Sequence, residues 1–177
     1  MNFEFSADQM QLKDIARKFL EKENAVKRAR NVLEGEESFD ENLWQQIIEM
    51  GFTATAIPVE YGGLGLGYLE LCVIAEELGR SLAPTPFSSS VYLATEAILN
   101  SEDDSLKQNY LPSLANGEKI GSFAHSESNT SPTESNIQCN VSGNALSGKK
   151  IAVVDGDISN FFVVSAKNGS NVGLYLV

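Results

Sequence analysis

From Met10 to Leu114 the apolar residues recur at helical spacing; from Ile120 onward they come in short strand-length runs broken by turn residues. The switch falls at Asn116-Gly117, where an asparagine and a glycine close the last helical run. A chain that changes period once, and does not alternate, predicts an α+β fold. We expect an N-terminal all-α helical bundle over residues 1–118, then a small β-barrel or sheet domain over 119–177 that looks truncated, because the sequence ends inside the apolar run Leu174-Tyr175-Leu176-Val177. Charge divides at the same place. The first part holds 20 acids and 9 bases and carries the whole net charge of −11, whereas the second holds 4 of each.

Within the helical part, Ser6 and Gln9 form a capping box, with Phe5 and Met10 as its hydrophobic staple, for a helix from Ala7 to about Lys22. A weaker, charge-rich helix is expected over Glu23–Leu33. Asp40 caps a third, with Trp44, Ile47, Ile48 and Met50 on its buried side and Gly51 as its stop. Phe52–Ile57 reads as a short extended passage. A fourth helix runs from Tyr68 to about Leu82 and ends before Pro84 and Pro86; a fifth covers Phe87–Leu99, and a sixth, Leu106–Leu114, is interrupted at Pro112. Strands are predicted at Ile120–Ala124, Ile137–Val141, Ala145–Leu146, Ile151–Val154, Phe161–Ser165 and Val172–Val177, with the polar run Ser126–Asn136 as a loop and Ser142-Gly143-Asn144 as a hairpin turn.

Composition narrows the function classes. An acidic chain without a basic stripe is a poor nucleic-acid binder, and no apolar run reaches the length of a membrane span. Met1–Phe5 lacks a basic region followed by an apolar one, and Cys72 and Cys139 lie far apart with no metal spacing, so a cytoplasmic protein with free thiols and no metal site is expected. The glycine-dense Gly62-Gly63-Leu64-Gly65-Leu66-Gly67 invites a phosphate-loop reading. A dinucleotide fingerprint started at Gly63 and Gly65 would need its third glycine at Tyr68, so the stretch reads as an architectural joint between helices.

Four stretches in order carry a resemblance: Pro58–Gly67 with the following Tyr68-Leu69-Glu70-Leu71 and Glu76-Glu77-Leu78-Gly79-Arg80; Tyr110–Glu118; the turn Leu146-Ser147-Gly148-Lys149-Lys150; and Phe161–Ala166 with Gly173–Val177. Over essentially its whole length the sequence resembles the N-terminal part of flavin-dependent acyl-CoA dehydrogenases. The resemblance implies the family's helical domain and most of its middle β-domain, without the C-terminal helical domain that usually supplies the catalytic carboxylate. No residue of this chain is assigned as the catalytic base.

The same resemblance implies a flavin site in the β part. The family's first flavin segment, an aromatic, two residues, Thr or Ser, then Glu-Pro and a Gly-x-Gly-Ser-Asp run, falls on Phe123, Ala124, His125, Ser126, Glu127 and Ser128, then Asn129-Thr130-Ser131-Pro132-Thr133. Phe123, Ser126 and Glu127 fit; the proline and both glycines are lost, and Pro132 stands where the serine would be. The second segment, Trp-Ile-Thr, falls on Ala152, Val153 and Val154. Ala152 offers little stacking area and Val154 no side-chain hydrogen bond. The implied FAD contacts are therefore Phe123, His125, Ser126, Ala152, Val153 and Val154, with Ser126 and Pro132 also facing substrate. His125 is equally readable as an incidental histidine, Ser126 as a loop serine bonding its own backbone, and Lys149-Lys150 as a solvated turn or a CoA-phosphate contact. Two functions stay open. One is an acyl-CoA dehydrogenase passing hydride from an acyl-CoA to FAD, with electron-transfer flavoprotein or a similar acceptor and a homo- or hetero-oligomeric assembly. The other is a flavin-poor or non-catalytic subunit of a heteromeric enzyme of that kind.

Overall fold

The computed structural model describes residues 4–129 and 133–177. Its helices are α1 (Ala7–Lys22), α2 (Ala25–Glu34), α3 (Glu41–Glu49), α4 (Tyr68–Arg80), α5 (Thr95–Leu99) and α6 (Asp104–Ala115); a π-helical segment at Ser88–Ala94 runs straight into α5. The strands are β1 (Gly121–Ala124), β2 (Asn140–Ser142), β3 (Ala145–Ser147), β4 (Phe161–Asn168) and β5 (Asn171–Leu176). A helical N-terminal region followed by a small mixed sheet is what the change of period dictates.

The helix starts follow from local chemistry. Ser6 Oγ accepts from the Gln9 N–H at 3.2 Å while Gln9 Oε1 accepts from the Ser6 N–H at 2.9 Å, completing the capping box. Asp40 accepts from the Leu43 N–H at 2.8 Å, and Asp103 caps α6. The helices close over Leu20, Leu43, Trp44, Ile47, Leu71, Ile74 and Phe87. Along the contact between α1 and α4 a charged seam adds direction: Lys13 pairs with Glu76 at 2.8 Å, Arg80 with Glu21 at 3.1 Å, and Arg17 grips fully buried Glu77 through two bonds of 2.7 and 3.0 Å.

Three local expectations are corrected. Phe52–Ile57 is not extended; it forms successive turns, and the glycine stretch folds back onto it, Leu64 N–H donating to Ala54 O, Gly65 N–H to Ile57 O and Leu66 N–H to Thr55 O, each at 2.9 Å. A Cβ on Gly63 would lie 1.9 Å from Ile57 O, so only glycine permits this knot. Helix α6 runs on through Pro112. Proline costs a backbone hydrogen bond there, but Leu111, Leu114 and Ala115 on either side are buried against the sheet and hold the turn. Ile151–Val154 is not a strand: Ala152 sits at φ 51°, which interrupts the extended run. Along one edge of β4, β1 pairs in parallel with its first half (Gly121 with Phe161, Ala124 with Val164) and β2 follows at Asn140 with Lys167.

On the other edge of β4 lies antiparallel β5, from Val163 with Leu176 to Asn168 with Asn171, and the β2–β3 hairpin completes the five strands. The sheet shares a core with the helices: Phe161 and Val163 pack with Ala54, Ile57, Ala94, Ile98, Leu111 and Leu114. Among the described residues no helix is long and apolar enough to cross a membrane.

Candidate functional site

Both sequence segments singled out for a ligand meet at the carboxyl end of β1. Ser122 Oγ donates to Val154 O at 2.6 Å, and Ile151 N–H donates to Ser126 O at 2.8 Å, so 151–154 runs beside 122–126 as a loop. A buried ion pair holds them. Lys150 Nζ donates to Glu127 Oε1 at 2.7 Å, to His125 O at 3.0 Å and to Ser165 Oγ at 3.0 Å, and the two charged side chains are 8% and 11% exposed. Glu127 also accepts from the N–H groups of Gln138 at 2.5 Å and Cys139 at 2.9 Å. Burial pushes the Glu127 carboxyl up, but Lys150 and those two backbone donors outweigh it and hold it at about 2, so it is ionised at neutral pH. Burial, seconded by Glu127, pushes the Cys139 thiol up.

Lys150 is thus neither solvated nor turned toward a ligand phosphate; its ammonium is spent on the protein. Gly148 makes this possible, since a Cβ there would lie 2.2 Å from Cys139 Sγ, and the turn can settle on Cys139 only without one. Its neighbour Lys149 is exposed. His125 Nδ1 lies 2.8 Å from Ser165 Oγ, which ties its ring to β4, and the ring stands 5.9 Å from that of Phe123. Ser126 is half-buried, Ala152 is exposed and Val154 is 54% exposed. Pro132 lies outside the described residues.

On the other side of Phe123 opens an apolar cavity of about 420 Å³. Its helical wall carries Tyr92, Leu93, Glu96 and Ala97, α6 adds Leu106, and the sheet contributes Phe123, Val163 and Leu174–Leu176. The π-helical segment sets the helical wall: Ser90 O accepts both the Thr95 N–H and, at 2.8 Å, the Thr95 hydroxyl. This i to i+5 spacing rotates the residues that follow relative to an α-helix. Phe123 is therefore the hinge of the site, lining the cavity with its ring and leading along the backbone to His125 and Ser126.

A sequence reading did not find Ser165 or Glu96, and it took Lys150 for a solvated turn or a CoA-phosphate contact rather than the partner of Glu127. Glu127 carried the signal for Lys150 and Ser165, because a buried acid requires a base and a donor. The signal for Glu96 was a lone acid inside the apolar run Tyr92–Ile98.

Residues 6–118 match the family model described as acyl-CoA dehydrogenase, N-terminal domain. The chain belongs to the acyl-CoA dehydrogenase family. A mitochondrial isovaleryl-CoA dehydrogenase of Arabidopsis thaliana is 31% identical over 177 residues, which span 96% of this chain and 43% of the relative. A chain of the ChsE4-ChsE5 complex from Mycobacterium tuberculosis is 26% identical with a TM-score of 0.87, covering all of this chain and 48% of that one. Butyryl-CoA dehydrogenase from Megasphaera elsdenii has the same fold, with a TM-score of 0.84 at 23% identity over all of this chain and 50% of that structure. The chain thus spans half or less of the length of these acyl-CoA dehydrogenase relatives.

Proposed function

We propose that this chain supplies the helical domain, residues 1–118, and the flavin-side β-domain, residues 119–177, of an enzyme that dehydrogenates an acyl-CoA thioester. The observation that carries the reading is the cavity of about 420 Å³, lined mostly by apolar side chains and bordered by Phe123, whose strand leads directly to Ser126. A volume in this range suits a small-molecule site, and walls of Leu93, Ala97, Leu106 and Val163 suit a hydrocarbon chain.

On this reading FAD would lie along the adjoining ledge, where Ala152 and Val154 are exposed and apolar, the Ile151 N–H donates to Ser126 O, and the Glu127–Lys150 pair joins the two segments. Phe123, His125, Ser126, Ala152, Val153 and Val154 would line one side of the flavin, with Ser126 also facing substrate. When bound, FAD accepts the hydride removed from the acyl chain. What this chain does is enclose the chain in apolar surface, exclude water from it and hold the ledge rigid. Electrons would pass on to electron-transfer flavoprotein or a similar acceptor, and the working enzyme would be a homo- or hetero-oligomer. Both cysteines are free, which supports a reducing, cytoplasmic setting.

A second reading rests on Ala152 and Val154, which bring neither a broad ring nor a hydroxyl to the ledge. In that case the chain belongs to a flavin-poor subunit of a heteromeric enzyme; the similar ChsE4-ChsE5 structure is a complex of two differently named chains. The visible spectrum of the full-length protein separates the two. About one flavin per chain, bleached by an acyl-CoA, is the expected result. A colourless, folded protein that acquires colour only with a partner chain would favour the subunit reading.

A further inference from the structure

The three N–H bonds of the Lys150 ammonium are all engaged: they go to Glu127 Oε1 at 2.7 Å, His125 O at 3.0 Å and Ser165 Oγ at 3.0 Å. An ammonium can only donate, so Ser165 Oγ accepts from it. Ser165 lies on β4 and is 1% exposed, and among the described residues the other polar atom that meets its hydroxyl is His125 Nδ1 at 2.8 Å. These contacts decide where the protons lie. If the Ser165 hydroxyl donates to Nδ1, Oγ accepts once and donates once, and every polar atom in the chain of bonds is matched. If Nδ1 carried the proton, Oγ would accept twice and its own O–H would be buried without an acceptor, which is costly in a site closed to water. In a neutral imidazole one nitrogen accepts and the other holds the proton. With Nδ1 accepting, the proton sits on Nε2.

We infer that Ser165 and Lys150 are positioning residues that hold His125 as its Nε2–H tautomer, so that the ring meets a ligand on the ledge as a hydrogen-bond donor. The group it suits is an acceptor, a carbonyl oxygen or an unprotonated ring nitrogen. This rests on the reading of the ledge as a flavin site, where that acceptor is an atom of the flavin's polar edge. Ala152 and Val154 bring no side-chain donor to the ledge, and His125 supplies one. Lys150 touches no ligand itself. It acts through Ser165, because a hydrogen bond donated to Oγ by a cation strengthens the bond that Oγ donates in turn, and acceptance at Nδ1 makes Nε2–H a better donor. The Ser165 bond and the Phe123 ring, 5.9 Å away, set the imidazole before ligand arrives, so little ordering is required on binding.

The test is nitrogen NMR of the full-length protein, isotope-labelled in its imidazole nitrogens and recorded where imidazole is neutral, with the His125 signals assigned by their loss in His125→Gln. Nε2 should show the shift of a protonated ring nitrogen and Nδ1 that of an acceptor. Ser165→Ala should leave a mixture of the two tautomers, and Ser165→Thr, which keeps the hydroxyl, should retain the single form. Lys150→Met should also give a mixture, because without the ammonium either direction of the Ser165–His125 bond leaves one polar site unmatched. A proton on Nδ1 in the parent protein, or a tautomer that is unmoved in Ser165→Ala, would overturn the inference and leave the flavin reading standing. Should Ser165→Ala fail to fold, the parent spectrum still decides which nitrogen holds the proton. Titration with FAD then reads the donor itself: His125→Leu should weaken binding about tenfold, and Ser165→Ala about two- to threefold. Undiminished binding by His125→Leu would overturn His125 as the donor to flavin. A parent protein that holds the Nε2–H tautomer and binds no FAD would overturn the flavin reading and that role together.

Discussion

Buried carboxylates occur on both sides of the molecule, and the two sides treat them differently. In the α1–α4 seam Glu77 is fully buried and completely matched, with Arg17 bidentate and Arg80 at 3.5 Å. Arg17 draws the Glu77 carboxyl below its usual range even though burial opposes it. At the sheet end Glu127 is matched just as fully, yet by a lysine and two backbone N–H groups, and what it joins is loop to loop. In the cavity wall Glu96 is matched on one oxygen only: Oε2 accepts from Tyr68 and Asn100, whereas Oε1 is buried with no hydrogen-bond partner among the described residues.

That comparison can be broken or sharpened by substitution in the full-length protein. The largest effect is expected from Lys150→Met, which leaves the Glu127 carboxylate nearly buried with two backbone donors and no counter-charge: about 3 kcal/mol of stability lost, read by urea denaturation. If Lys150 were the solvated turn residue that its neighbour Lys149 is, the loss would be near zero. The pair also predicts a pH dependence. The folded carboxyl lies at about 2 and the ordinary value is 4.5. The stability it contributes is present in full above the ordinary value and lost as pH falls toward the folded one. The gap between the parent and Glu127→Gln should therefore be constant near neutral pH, shrink below about pH 4.5 and close near about pH 2. A gap that widens on acidification would contradict the ion pair.

Glu77→Gln comes next, with about 1–2 kcal/mol expected in the same denaturation measurement. The freed Arg17 is 37% exposed and Arg80 is 53% exposed, so both guanidiniums can turn to water. The smallest effect is expected from Glu21→Ala. Its pair with Arg80 is more than half exposed on both sides, and less than about 0.5 kcal/mol should be lost. A loss as large as that for Glu77→Gln would mean that the seam works as one network.

Local signals were legible wherever one residue determines its own turn. Ser6 and Gln9 set the start of α1, Asp40 set the start of α3, and Ser142-Gly143-Asn144 marked the β2–β3 hairpin, because a cap or a tight turn is decided within a few residues. The failures are all non-local. Ile151–Val154 has the composition of a strand, but Ala152 turns out of the extended region and the Ile151 N–H goes to Ser126 O. Lys150 finds its partner at Glu127 only after Gly148 lets the turn settle on Cys139. Glu96 stands out only as a lone acid in Tyr92–Ile98, and nothing in that run announces that Phe123 and Leu174 will line the other wall. The family and the fold could be read in short motifs; the cavity that gives them use is made by residues about 30 to 80 positions apart, from Glu96 to Phe123 and Leu174.

On the proposed function, the acyl portion of a CoA thioester lies between the Tyr92–Ala97 wall and the sheet, beside Phe123. A crystal structure of the full-length protein with a non-hydrolysable acyl-CoA analogue tests this directly. Continuous density is expected for the chain in contact with Leu93, Leu106 and Phe123, its thioester end directed toward Ser126. An acyl chain bound elsewhere, with this cavity left to solvent or closed by side chains, would contradict it.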